Sequence, residues 1–462
     1  MPGKEQEEQR SVVTLPLKTE IWQADRLAKI FDMCRSVYNT MLGFELKQYR
    51  KMLRDQRYTE SKKVIDACYQ ADDKSKRKSA ECKDALKLRN ELYKEYGFSK
   101  YDFYHAVIPF YKHFPENLTC MMARMSVAVP MWAAFEKMIF GNGKIVHFKK
   151  LGDWNSIVTD GRSGLRIVDK KGATLAEGTA DEPMYLYVGT QKGKKTLMIP
   201  VVIPKNDTYK AEMVQRPIRT VRVIRKNVRG TYKYFVQLTV EGAPAPKLDR
   251  EGNPKHMPGH GKVGVYIDTR TVTAVTEDGS IFAFELNEGI EIYEKERGEL
   301  LRYMDASRRA TNPENYNSDG TIKKGRMVEG QRRPLQWSYS NGYKRAKAKL
   351  SNLYRLEKEH RDLERKKLAN TLLSLGDDFY INDYPFALAA QRKKEDEFKP
   401  NGTPKSKKKA GKVIGENAPS MLVTFLGNKL EGCGKEKPCM IQLKDIDRSP
   451  GYRQYYAASF IS

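Results

Sequence analysis

Val263–Leu286, VGVYIDTRTVTAVTEDGSIFAFEL, is the stretch on which the fold of this chain turns. It is dense in β-branched and aromatic residues and carries one turn signal, Asp278-Gly279, so it reads as a strand, a turn and a second strand. Downstream, Tyr343 to Leu375 lacks Gly and Pro and lays Leu350, Leu353, Leu356 and Leu363 along one stripe, with its Lys and Arg residues largely elsewhere. That is a long helix, and Gly376 is placed to end it as a C-terminal cap. Phe379–Asn382 (FYIN) reads as a short buried strand, Gln391–Lys412 as a lysine-rich loop, and Ala418–Leu430 (APSMLVTFLGNKL) as another helix. Hairpin, helix, strand and helix make an α/β order.

Upstream, the Pro-rich and Gly-rich stretch Ala243–Gly261 can continue neither strand nor helix and reads as a linker. Between Gly141 and Gly242 the chain consists of short β-branched and aromatic runs, MYLYV, TLMIPVVIP, IRTVRVIRK and YKYFVQLTV, the pattern of an antiparallel barrel or sandwich. From Glu20 to Phe140 apolar residues recur at helical spacing, as in Leu27, Ile30, Phe31, Cys34, Val37, Tyr38 and Leu42. Within it, Lys51–Lys94 carries both charge signs densely and reads as a solvated helical hairpin. Ser11–Lys18 alternates like a strand and is expected to join the later sheet, which makes the helical region an insertion.

The 462 residues include 84 Lys and Arg against 58 Asp and Glu, a formal net charge of +26. With 40% hydrophobic residues this is a folded basic surface rather than a disordered polycation, and it suits a polyanionic partner, nucleic acid before membrane. No run approaches a membrane span and the first residues, MPGKEQEEQR, lack an apolar leader, so the expected location is the cytoplasm, in association with a bacterial nucleoid. Cys34, Cys68, Cys82, Cys120, Cys433 and Cys439 are scattered and expected to be thiols. Cys433 and Cys439 have no second ligand pair for zinc. Phosphate-loop, zinc-protease, nucleophile-elbow and EF-hand patterns are absent. His105, His113 and His147 sit among aromatic and basic residues as packing or phosphate contacts, and Lys405–Lys412 (KSKKKAGK) is a basic tract.

Four segments resemble the transposon-encoded RNA-guided nuclease TnpB and the related compact type V CRISPR effectors. They are Cys34–Asn39 (CRSVYN), Gly143–Lys150 (GKIVHFKK), Arg308–Gly325 (RRATNPENYNSDGTIKKG) and Ala418-Pro419-Ser420. The resemblance implies an α+β multidomain protein. Residues 1–19 and 141–242 would form a β-barrel wedge domain, 20–140 an inserted helical recognition domain, 243–261 a linker, and 262–462 an RNase H-like (RuvC) domain. It also implies a guide RNA and complementary double-stranded DNA as partners, with base pairing reading sequence and the protein gripping backbone. Arg35, Asn39, Lys149, Lys150, Arg308 and Arg309 are the candidate nucleic-acid contacts.

The same resemblance implies catalytic carboxylates, and this chain departs from them. Two-metal cleavage needs several carboxylates around two cations. Aligned on Gly264, Thr269 and Thr271, the first carboxylate position holds Tyr266, whose phenol stays protonated at neutral pH. The second holds Asn382. The chain lacks the zinc-finger insert and the last catalytic segment, leaving Asp445 and Asp447 as the only late carboxylates. No catalytic residue and no metal cofactor are expected, and the domain reads as a degenerate RuvC. The expected function is RNA-guided DNA binding that represses transcription by occupancy. Two alternatives stand beside it: an active endonuclease with magnesium on Asp268, Asp383 and a late Asp, and an adaptor that brings a further protein to the guided site.

Overall fold

The computed structural model describes residues 9–70, 74–141, 143–190, 196–325, 327–328, 331–390, 410–443 and 449–461. It is a mixed α+β chain with several sheets. It divides into two compact units, Met1–Lys226 with Tyr232–Pro244, and Asn227–Thr231 with Ala245–Ser462.

The first unit begins with β1 (Arg10–Pro16) and passes into α1 (Ile21–Arg54). α1 is helical because its apolar residues fall on one stripe: Leu27, Ile30, Phe31, Cys34, Val37, Tyr38, Met41 and Leu42 are all buried. A capping box between Glu20 and Gln23 starts it. α2 (Gln56–Gln70) and α3 (Ala80–Glu95) pack as a hairpin, with Tyr58 edge-on to Tyr93 and Arg57 bonded to Glu95 at 2.8 Å. Four shorter helices follow: α4 (Lys100–Ala106), α5 (Ile108–Tyr111), α6 (Cys120–Ala123) and α7 (Val129–Phe140), the last two joined by the π-helical turn Arg124–Ala128. Then come β2 (Ser156–Thr159), β3 (Leu165–Val168), β4 (Tyr185–Val188), β5 (Leu197–Pro200), α8 (Thr208–Val214), β6 (Ile218–Val228) and β7 (Thr231–Glu241).

One sheet has the order β1-β7-β6-β2 and a second the order β3-β4-β5, all antiparallel. β1 pairs with β7 along its whole length, from Arg10 opposite Glu241 to Pro16 opposite Phe235. α1 to α7 therefore lie in sequence between two strands of a single sheet. A bridge from Leu17 to Val201 joins the edge of that sheet to the residue after β5.

The second unit is built on β8 (Lys262–Ile267), β9 (Thr271–Thr276) and β10 (Ile281–Glu285). The helix α9 (Glu291–Thr311), the short pair β11 (Met327–Val328) and β12 (Gln331–Arg332), and the helix α10 (Asn341–Leu373) follow. The chain then adds β13 (Asp378–Asn382), α11 (Phe386–Ala389), α12 (Gly411–Asn417), α13 (Pro419–Gly432), β14 (Cys439–Ile441) and α14 (Tyr452–Ser459). The sheet order is β10-β9-β8-β13-β14, the first three antiparallel and the last two parallel to β8. β8 is buried on both faces after Lys262. On one face Val263, Val265, Ile267, Phe379 and Ile381 meet Ala369, Leu372 and Leu373 of α10 and Leu422, Leu426 and Leu430 of α13. On the other, Tyr266 and Val275 meet Ala457 and Phe460, with Tyr380, Tyr452 and Tyr456 around them.

Four expectations are corrected. Val263–Thr276 is not one strand but two, because the Asp268 N–H bonds the Thr271 carbonyl (2.9 Å) and turns the chain with neither Gly nor Pro. Gly376 does not cap α10, which ends at Leu373 with Ser374 as cap. Gly376 is small because a Cβ there would come 2.5 Å from the Gly261 carbonyl. α9 and α14 were not anticipated. Met440–Ile446 (MIQLKDI) also reads as a strand in the sequence, but among the described residues the strand is the short β14, Cys439–Ile441; Asp445 and Asp447 lie outside the described residues, as do residues 391–409, which hold most of the lysine-rich loop.

Candidate functional site

The even-numbered residues of β8 and β13 face α14. Gly264 is there because the helix lies against the strand: a Cβ on Gly264 would fall 1.7 Å from the Ala457 carbonyl oxygen. Tyr266 follows on the same face, 3% exposed, edge-on to Tyr452 (5.5 Å) and stacked on Tyr456 (6.1 Å). It is a core aromatic under the last helix.

Asn382 sits beside Tyr266 and is 3% exposed. The β8–β13 ladder runs out at Val265 opposite Ile381, and the Asn382 amide extends it. Its Oδ1 accepts the Ile267 N–H at 2.7 Å and its Nδ2 donates to the Ile267 carbonyl at 3.0 Å. A carboxylate could accept the first bond but could not donate the second. The amide is thus dictated by strand pairing, and neither of its polar atoms is left for a cation.

Asp268 brings a carboxylate to this face at the end of β8. Its Oδ1 accepts the Thr269 N–H at 2.6 Å, and its Oδ2 accepts Arg453 Nη2 of α14 at 2.8 Å and the Tyr452 hydroxyl at 3.4 Å. Burial pushes the Asp268 carboxyl up, but the Thr269 N–H and the Arg453 guanidinium outweigh it and hold it below the usual carboxylate range. Asp383 is exposed, its N–H on the Ile441 carbonyl (2.7 Å). Among the described residues no three His, Cys, Asp or Glu side chains lie close enough to hold a metal. A magnesium site asks for octahedral oxygens. A phenol in the core, an amide spent on backbone and a carboxylate paired with arginine do not fit one.

The Ala418-Pro419-Ser420 motif opens α13 from a left-handed Ala418 (φ 43°). Asn417 beside it donates to the Thr269 carbonyl (2.7 Å) and accepts from Asn287 Nδ2 (3.1 Å), while its carbonyl accepts Arg365 (3.1 Å). The motif therefore fastens the turn after β8 to the end of β10 and to α10.

In the first unit the structure joins Asn39 to Lys149. Asn39 Nδ2 donates to the Lys149 carbonyl (2.9 Å) and its Oδ1 accepts the Lys149 N–H (2.8 Å). Residues 143–150 follow α7 outside any helix or strand and are pinned at three points. Gly143 donates to the Lys137 carbonyl (2.8 Å), Val146 is 5% exposed, and Lys149 is held by Asn39. Lys144, His147, Phe148, Lys149 and Lys150 remain exposed between and beyond the pins. The Lys149 ammonium lies 5.9 Å from the centre of the Tyr38 ring. Arg35 is mostly buried, with its Nε on Asp32 (2.7 Å). Arg225, which the sequence did not single out, is a buried cation between Phe31 and Tyr232.

Arg308 and Arg309 end α9, and both bond Asp305 at 2.7 Å. Arg308 lies over Trp337; Arg309 lies over Tyr316 and donates to the Gly320 carbonyl (2.8 Å). Asn312 then clamps Ser338 as Asn39 clamps Lys149, accepting its N–H at 2.6 Å and donating to its carbonyl at 2.8 Å. The Arg308–Gly325 segment is thus internally fastened, with half of Arg309 still exposed.

No protein-family model matches the chain, and no curated protein does. Among solved structures it is similar to the protein in a cryo-EM structure of a Cas12f1–sgRNA–target DNA complex, at 9% identity and a TM-score of 0.42, over 98% of this chain and 94% of that one. It is also similar to the protein in a cryo-EM structure of a CRISPR-Cas12f ternary complex, at 11% identity and a TM-score of 0.28, over 92% of this chain and 72% of that one.

Proposed function

We propose that the chain is an RNA-guided DNA-binding protein that has lost nuclease activity: it holds a guide RNA and complementary double-stranded DNA and represses transcription by occupying the site. The observation that carries the loss of cleavage is the fate of Asp268. It is bound to Arg453 and flanked by Asn382, whose amide is consumed by Ile267, so the strand end offers a cation its own cation. The sheet order β10-β9-β8-β13-β14 matches that of an RNase H-like domain, which supports reading Tyr266, Asp268 and Asn382 as the remains of a nuclease's carboxylate set.

Support for the nucleic-acid partner is the net charge of +26 and the way the cations are deployed. Lys149 and Lys150 are the proposed phosphate contacts on the pinned segment, with Asn39 presenting them. The exposed half of Arg309 serves the same purpose, and Arg35 and Arg308 act at the edges of these surfaces. The helical region inserted in the antiparallel sheet corresponds in this reading to a recognition domain on a wedge barrel, and no metal cofactor is required. The test is sequencing of the RNA that co-purifies with the protein, followed by binding of a matched duplex. A discrete RNA with a variable guide portion is expected; RNA without any common sequence would reject the reading.

A further inference from the structure

β10 is the outer strand of its sheet, with no strand paired on its far side among the described residues. Its register with β9 runs without a bulge from Ile281 opposite Val275 to Glu285 opposite Thr271. The Ser280 carbonyl accepts the Thr276 N–H (3.1 Å) and the Leu286 N–H donates to the Arg270 carbonyl (2.8 Å), so the even-numbered residues are the ones bonded to β9. In an antiparallel ladder the residues between them turn their N–H and C=O groups outward. Those of Ile281, Ala283 and Glu285 therefore meet no partner among the described residues. Edge strands are normally guarded by Lys, Pro, a bulge or a covering element. Ile281–Glu285 (IFAFE) has none of the first three, and a cavity of about 360 Å³ lies along it. Ala283, Phe284 and Glu285 line this cavity on the strand side, and Lys367, Leu368 and Thr371 of α10 on the other.

We infer that this edge takes up an extended, basic segment of another protein, which pairs with β10 as a further strand of the sheet. Its charge follows from the mouth of the cavity. Lys367 is bonded to Glu364 (2.7 Å) and Arg365 to Asp362 (2.7 Å), whereas Glu285 and Glu288 form no ion pair among the described residues. The mouth is thus anionic on a chain of net charge +26, so it repels phosphate and favours Lys or Arg. Strand pairing sets where those residues stand, because residues directly opposite share a face. The one opposite Glu285 is basic. Those opposite Phe282 and Phe284 are apolar, since both rings pack with Leu368 against the core. Main-chain bonds supply the affinity and this alternation the specificity. The inference stands on the sheet edge and does not require the nucleic-acid reading.

The test pans a library of displayed random peptides on the full chain, with Ala283→Pro as the counter-selecting protein. The Ala283 N–H points away from β9, so proline removes an edge donor without breaking the ladder. Enriched peptides should alternate apolar and basic residues. The tightest of them, made synthetically and labelled, should bind Ala283→Pro about tenfold more weakly. Glu285→Lys should weaken it about fivefold and, panned anew, should enrich acidic residues at the alternate positions. RNA binding should be the same in both variants as in the wild type. No enrichment over Ala283→Pro, or the same basic peptides on Glu285→Lys, would overturn the inference. So would RNA binding that falls in either variant, which would give the edge to nucleic acid. A wild-type dimer in sedimentation that Ala283→Pro dissociates would overturn it too, since the edge would then belong to a second copy of the chain. Should Ala283→Pro not fold, the switch of charge preference in Glu285→Lys decides alone.

Discussion

Asn39 and Asn382 make the same pair of bonds in two regions, and the two regions use it to opposite ends. Each amide takes the N–H and the carbonyl of one distant residue, Lys149 in the first unit and Ile267 in the second. At Lys149 the clamp holds by its backbone a segment that belongs to no helix or strand, and leaves its lysine side chains in solvent. At Ile267 it closes a strand end, and nearly everything around it is satisfied from within: Asp268 by Arg453 and Thr269, Tyr266 by the rings of α14. A side chain that pairs with backbone can present a surface or seal one. What distinguishes the two is whether the neighbouring charges are cancelled.

The largest effect should come from unsealing the strand end. Asn382→Glu puts a carboxylate opposite the Ile267 carbonyl in a buried place, and should cost about 4 kcal/mol in urea unfolding while conferring no magnesium-dependent cleavage. Unchanged stability would mean the amide is not pairing with Ile267. The next effect concerns a charge left inside rather than cancelled. Burial first, and then the Asp102 charge, push the Glu45 carboxyl up to about 7. The folded state keeps the proton where the unfolded chain has lost it, so stability should fall as pH rises from about 4.5 to 7 and level off above. Glu45→Gln should flatten that window and raise stability at pH 8 by about 3 kcal/mol. Parallel pH profiles for the two proteins would contradict it.

Smaller is the effect at the presenting clamp. Asn39→Ala should cost about 1 kcal/mol, since the freed Lys149 backbone is exposed and water replaces the bonds. It should weaken RNA binding out of proportion to that loss, and equal binding would show that the clamp positions nothing. Smallest in stability is the pair Lys149→Ala and Lys150→Ala, expected near zero in unfolding. The salt slope for RNA should nevertheless drop by about two; an unchanged slope would remove this segment from the interface.

These contrasts follow the limits of what the residues disclosed in advance. β6 and β7 were legible because each alternates over 11 residues, and α1 because its apolar stripe is unbroken. The turn at Asp268–Arg270 was not, because no Gly or Pro marks it and the bond that makes it is backbone to backbone. α9 escaped because none of its residues is fully buried and its half-buried face, Tyr293, Arg297, Leu300 and Met304, is interrupted by charge. At the candidate site Tyr266, Asn382 and Asp268 were all picked out and do share one face. Their meaning was not readable, since it depends on Arg453, which arrives from 185 residues further along on a helix the local pattern did not announce.

The most direct measurement is to incubate the protein with its co-purified RNA, a matched DNA duplex and magnesium, and to follow binding and strand integrity together. Stable, guide-dependent binding with both strands intact is the predicted result. Guide-dependent cleavage would contradict it, because Asp268 would then have exchanged Arg453 for a metal ion.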